Sequence, residues 1–202
     1  GRVIFHARMC EPCVDIEEKR VKRLTRPAGW VDLEDEIPER FRGFDLELMP
    51  RYAKGFMKEK PYGRIVIHGE TGRGKSYLAA SLAKKVIADG KRPFFTTGRA
   101  IRKTLMPSDL PVQRDNNQKL IDRLKTSKWL CVDDIGHGNW TEAYADTILE
   151  LLEDRQRPGY STIITTQWPP SEWVRCFSGK CDKESIAAIV RRLDDYYDEW
   201  SV

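Results

Sequence analysis

The sequence predicts a three-layer α/β fold built on a mostly parallel sheet, and three observations carry that expectation. Short apolar runs recur along the chain, stretches of helical period lie between them, and one glycine-rich segment joins a run to such a stretch. The runs are 65–67, 93–96, 129–132 and 162–165, near-continuous in apolar and β-branched residues, as strands covered on both faces require. Leu78, Leu82, Val86 and Ile87 share one helix face closed by Gly90. Ala145, Ile148, Leu149 and Leu152 form a second stripe, with Asn139 or Thr141 as N-cap, and Ile186, Ile189, Val190 and Leu193 form a third.

With 202 residues, 40% of them hydrophobic, the chain can bury the core of one large domain. The formal charge, 35 − 31 = +4, is too small to name a nucleic-acid partner unaided. No apolar run reaches the roughly 18–20 residues of a membrane span, and nothing at the start reads as a secretory signal. Five cysteines, an odd number, fit a reducing cytoplasm better than a disulfide scaffold. The first sixty residues differ in character: 19–26 is strongly basic, 32–36 is acidic, and Pro27, Gly29, Pro38 and Gly43 interrupt them. Residues 1–48 are therefore read as an N-terminal extension with a short basic helix, and 49–202 as the core.

Gly69-Glu70-Thr71-Gly72-Arg73-Gly74-Lys75-Ser76 fits G-x-x-x-x-G-K-[ST], with a strand running in and a helix running out toward Tyr77. Glycines let backbone approach phosphate oxygens closely, successive N–H groups point inward, and the helix N-terminus adds partial positive charge. Lys75 would serve the β- and γ-phosphates and Ser76 a Mg²⁺ ion. The run 129–132 ends in Asp133 and Asp134, acids delivered to the carboxyl edge of the sheet. Asp133 is the candidate Mg²⁺ ligand, and Asp134 would orient or deprotonate an attacking water. The predicted chemistry is Mg²⁺-dependent hydrolysis of a nucleoside triphosphate on a P-loop NTPase core.

Taken with 37–43, 132–136, 151–155 and 161–167, the phosphate loop resembles the DnaC/IstB branch of AAA+ ATPases over about residues 37–193. That branch contains loaders of replicative helicases and ATPases that assist DNA transposition. The resemblance implies a sensor at Gln167, with Thr166 as alternative, and an arginine finger at Arg192 acting on a neighbouring subunit, hence a homo-oligomer. A solvated helix face is the plain alternative for Arg191-Arg192. Such proteins continue into a further strand and a helical lid, for which only 194–202 remain, so the lid is expected to be missing or truncated. In related loaders the segment after the second strand faces single-stranded DNA, which makes Arg99, Arg102 and Lys103 candidate DNA contacts.

Cys10-Glu11-Pro12-Cys13, with His6 four residues ahead, resembles half of a zinc knuckle, and loaders of one branch carry a zinc module there. The pair is either part of a zinc site, its fourth ligand elsewhere, or two free thiols.

The function expected is that of a cytoplasmic helicase loader in a bacterium or phage-infected host, acting on a replicative helicase and single-stranded DNA. A transposition helper is the first rival. A P-loop small-molecule kinase and a nucleotide-gated binding module are the alternatives from other classes.

Overall fold

The computed structural model describes residues 36–42, 62–107, 109–177 and 181–202, all within one compact unit, Leu33–Val202. The basic segment 19–26 and the candidate zinc ligands His6, Cys10 and Cys13 lie outside the described residues. Helix α1 (Glu39–Arg42) precedes β1 (Arg64–His68), α2 (Lys75–Ala88), β2 (Pro93–Thr97), α3 (Gly98–Thr104), α4 (Pro111–Thr126) and β3 (Trp129–Asp133). There follow α5 (Glu142–Asp154), β4 (Ser161–Thr166), a 3₁₀ turn at Pro170–Glu172, α6 (Trp173–Phe177), α7 (Lys183–Tyr196) and β5 (Asp198–Ser201).

The strands pair in the order β2-β3-β4-β1-β5, and every pairing is parallel. Parallel neighbours need crossovers, which the intervening helices supply. Alternation along each strand divides the core between two faces. Ile65, Ile67, Cys131 and Ile163 pack with Leu78, Leu82 and Val86 of α2 and with Ile37 and Phe41. Val66, Leu130, Val132 and Ile164 pack on the other face with Ile148 and Leu152 of α5 and Ile186, Ile189 and Leu193 of α7. The described residues 36–42, assigned to the extension from sequence, are thus part of this core.

The three predicted helices form where the stripes lie. Thr141, one of the two proposed caps, accepts the Tyr144 N–H at 3.3 Å, and Gly90 at φ +72 ends α2 with its N–H on the Ile87 carbonyl.

Two elements depart from the sequence reading. Strand β5 occupies 198–201, so the short stretch after Arg192 supplies the further strand that the family resemblance implies, although no apolar run marked it in the sequence. Its acids belong to an edge strand, where only Trp200 turns into the core. Helix α4 buries only Leu124 completely, too little apolar periodicity to show in the sequence.

Candidate functional site

The chain leaves β1 toward β2 in one direction and leaves the neighbouring β4 toward β5 in the other, so the crossovers from these adjacent strands run in opposite directions. Ligands of open parallel sheets bind at such a switch point, beyond the carboxyl ends of the strands. There a cavity of about 610 Å³ is lined by Thr71, Gly72, Gly74, Lys75, Ser76, Tyr77, Asp133, Asp134 and Gln167.

The phosphate loop turns out of β1 through Gly69 and enters α2 through Gly74, at φ +147 and +92, dihedrals that side chains penalise. Gly69 also meets the end of β5: an added Cβ would lie 2.1 Å from the Val202 carbonyl oxygen. The Lys75 ammonium folds back on its own loop, donating to the carbonyls of Gly69 and Glu70, both at 2.7 Å. Burial pulls the pKa of Lys75 down, against the opposing pull of Asp134 and Asp133. Glu70 and Arg73 pair with each other at 3.0 Å on the surface.

Thr165 organises the acids. Its register beside β3 brings its hydroxyl to donate to Asp133 Oδ1 at 2.7 Å while accepting the Asp134 N–H at 2.8 Å. Asp133 is 2% exposed and receives the Arg40 guanidinium on its other oxygen at 3.5 Å. Asp134 has φ +53, the positive value among the described non-glycine residues, and its exposed carboxylate lies 4.0 Å from His137 Nδ1. Thr165, Arg40, Phe41 and His137 line the cavity, and sequence reasoning gave none of them a role. The strand register was the hidden signal for Thr165. Phe41 meets Tyr77 edge-on at 5.0 Å, forming an aromatic wall.

Two hard oxygen donors, the Ser76 hydroxyl and the Asp133 carboxylate, open on one cavity and suit Mg²⁺ completed by phosphate and water. Among the described residues no cluster of three or more His, Cys, Asp or Glu would hold a metal alone. Cys131, Cys176 and Cys181 are free thiols.

Other predicted residues lie elsewhere. The Thr166 hydroxyl is buried without a hydrogen-bond partner among the described residues, behind Gly136, whose added Cβ would approach it to 3.1 Å. Arg192 binds Glu153 Oε1 at 2.7 Å. It sits in the last two turns of α7, which runs down to the start of β5, so it lies at the sheet edge opposite the phosphate loop. Arg99 and Lys103 are exposed on α3, whereas Arg102 turns onto the loop after β3. A larger cavity, about 740 Å³, lies at the amino edge of the sheet. Its cations have internal partners there, Lys91 over Tyr62 and both Arg92 and Arg123 on Glu36.

None of the described helices is long and apolar enough to cross a membrane. Residues 55–197 match the IstB-like ATP-binding protein family. The chain is 26% identical over 161 residues to an insertion-sequence ATP-binding protein of Mycobacterium tuberculosis, covering 75% of this chain and 62% of that one. It is 25% identical over 177 residues to the insertion sequence IS21 ATP-binding protein of Pseudomonas aeruginosa, covering 87% and 63%. The chain thus spans less than two thirds of these relatives. Solved structures of DnaI (TM-score 0.60, 20% identity, 90% of this chain and 93% of that one) and of the DnaC helicase loader (0.55, 20%, 75% and 86%) share the fold. With its match extending over most of the core and the phosphate loop at the switch point, the chain belongs to the IstB-like family of P-loop ATP-binding proteins.

Proposed function

We propose that the chain binds ATP with Mg²⁺ in the switch-point cavity, hydrolyses it, and uses that cycle to assist the movement of an insertion sequence in the bacterial cytoplasm. The observation that carries the reading is the convergence of the phosphate loop, Ser76 and the Thr165-held Asp133 on one cavity. Relatives named for insertion sequences support the biological setting.

In this reading Lys75 exchanges the neutral carbonyls of Gly69 and Glu70 for the β- and γ-phosphates, and the loop N–H groups cradle the phosphate oxygens. Ser76 and Asp133 would hold Mg²⁺, which when bound neutralises charge on the phosphates. Thr165 orients the Asp133 carboxylate through its hydroxyl. Asp134 orients a water whose oxygen bonds to the γ-phosphorus as the bond to ADP breaks, and the carboxylate accepts the proton. Gln167 contacts the γ-phosphate or that water. Phe41 and Tyr77 offer the base an aromatic wall. Arg192 serves a neighbouring copy, which makes turnover depend on assembly.

Calorimetry tests the core of this reading. Wild-type protein should bind ATP only with Mg²⁺ present at full affinity, and Lys75→Ala should abolish the heat. An unchanged isotherm refutes it.

A second reading, loading of a replicative helicase on single-stranded DNA, is favoured by the shared fold with the DnaC helicase loader. Capture by the insertion sequence's transposase and not by the replicative helicase supports the first; the reverse supports the second. Zinc on Cys10, Cys13 and His6 would add an N-terminal partner-binding element, and bound zinc below about a tenth of an equivalent counts against it.

A further inference from the structure

The cations of α3 fall at i, i+3 and i+4, the spacing of one helix face, yet they are not equivalent. Arg99 and Lys103 are exposed. Arg102 instead lies over the Tyr144 ring, 4.9 Å from guanidinium carbon to ring centre, and donates to two carbonyls of the loop after β3, Ile135 at 3.5 Å and His137. The Tyr144 hydroxyl donates to the same Ile135 carbonyl at 3.0 Å. Gly98, which opens α3, packs so tightly here that an added Cβ would lie 2.8 Å from Ile135 Cα and 2.9 Å from the Asp134 carbonyl oxygen.

The segment held in this way starts at Asp134, in a left-handed conformation that non-glycine residues adopt reluctantly and that its surroundings must over-determine. Thr165 fixes one side of it, through the Asp134 N–H and through its own carbonyl, which accepts the Ile135 N–H at 3.0 Å. Arg102 and Tyr144 fix the other. A planar guanidinium fork suits two carbonyls converging from one turn, and the bonds to Ile135 and His137 turn the head group toward that loop, away from the exposed side chains of Arg99 and Lys103.

We infer that Arg102 is a positioning residue: it holds the Asp134–His137 backbone, and through it the aim of the Asp134 carboxylate into the nucleotide cavity, and does not contact DNA. The catalytic half of this inference rests on the proposed role of Asp134; the hold on the loop does not.

The test uses the full chain. Arg102→Ala should leave the affinity for a fluorescent ATP analogue within twofold while lowering kcat by about 10–100-fold. Hydrogen exchange at the Ile135 and His137 amides should quicken. The kcat loss should disappear when Arg102→Ala is combined with Asp134→Asn, because residues that act as a unit are not additive. Arg102→Lys, which keeps charge but not the fork, should recover only part of the rate and keeps the test open if the alanine variant does not fold.

Unchanged loop exchange and kcat in Arg102→Ala, with the salt dependence of oligonucleotide binding falling by about 0.7, would make Arg102 a phosphate contact and overturn the inference. If Asp134→Asn hydrolyses ATP normally while Arg102→Ala still quickens loop exchange, the role of Asp134 fails and the hold on the loop stands.

Discussion

Replacing Thr165 with valine keeps the shape of the side chain and removes only its hydroxyl, so the effect isolates two hydrogen bonds. One runs to Asp133 Oδ1 at 2.7 Å, and the other comes from the Asp134 N–H at 2.8 Å. A hydrogen bond to a charged group contributes about 1.5–3 kcal/mol, and a stranded buried donor costs about 1–3 kcal/mol. Thr165 is 1% exposed and Asp133 2%, so water replaces the lost contacts only in part. The expected loss is about 4 kcal/mol, a large part of the roughly 5–15 kcal/mol by which domains are stable. For a domain of this size that corresponds to a fall in Tm of about 8–16 °C. Urea unfolding with matched m-values measures the loss directly. A change below about 1 kcal/mol would mean that the Asp133 carboxylate is solvated or held by other partners, and the account of the acid pair would be wrong.

Further substitutions probe the frame around the site. Arg155, fully buried, donates to Thr162 Oγ1 at 2.6 Å and to the carbonyls of Ser161, Ser127 and Leu124 at 2.6, 2.8 and 3.0 Å. Arg155→Leu should cost about 3–5 kcal/mol in chemical denaturation. Gly69→Ala drives a methyl group into the Val202 carbonyl, 2.1 Å away, and a strain of about 1–3 kcal/mol should weaken ATP binding by about 5- to 150-fold in calorimetry. Arg192→Ala should leave ATP affinity unchanged and remove any rise of specific activity with protein concentration; a variant that retains that rise excludes the finger role.

What the sequence made legible is local. The phosphate loop announces itself because eight consecutive residues carry the chemistry, and the four central strands because burial on both faces demands unbroken apolar runs. Contacts set by register are another matter. Gln167 stands where a polar tip was expected, but Thr165 holds Asp133, and only the pairing of β3 with β4 shows that these two side chains are level. Thr166, the neighbour weighed as a sensor, turns the opposite way because strand residues alternate. Strand β5 has one inward residue to advertise it, and α4 is mostly solvated. Arg102 looked like a surface cation because nothing in its neighbourhood of sequence points to residues 135 and 137.

The placement of Arg192 and the phosphate loop on opposite rims of one sheet bears on assembly. An arginine that answers a neighbour's nucleotide from the far rim demands a head-to-tail contact, in which each copy offers one surface and receives another. Such contacts propagate: a rotation that divides the circle evenly closes a ring, and any other winds a helix with two unsatisfied ends. The twist between adjacent copies, more than the chemistry inside each of them, would then set how many sites fire together.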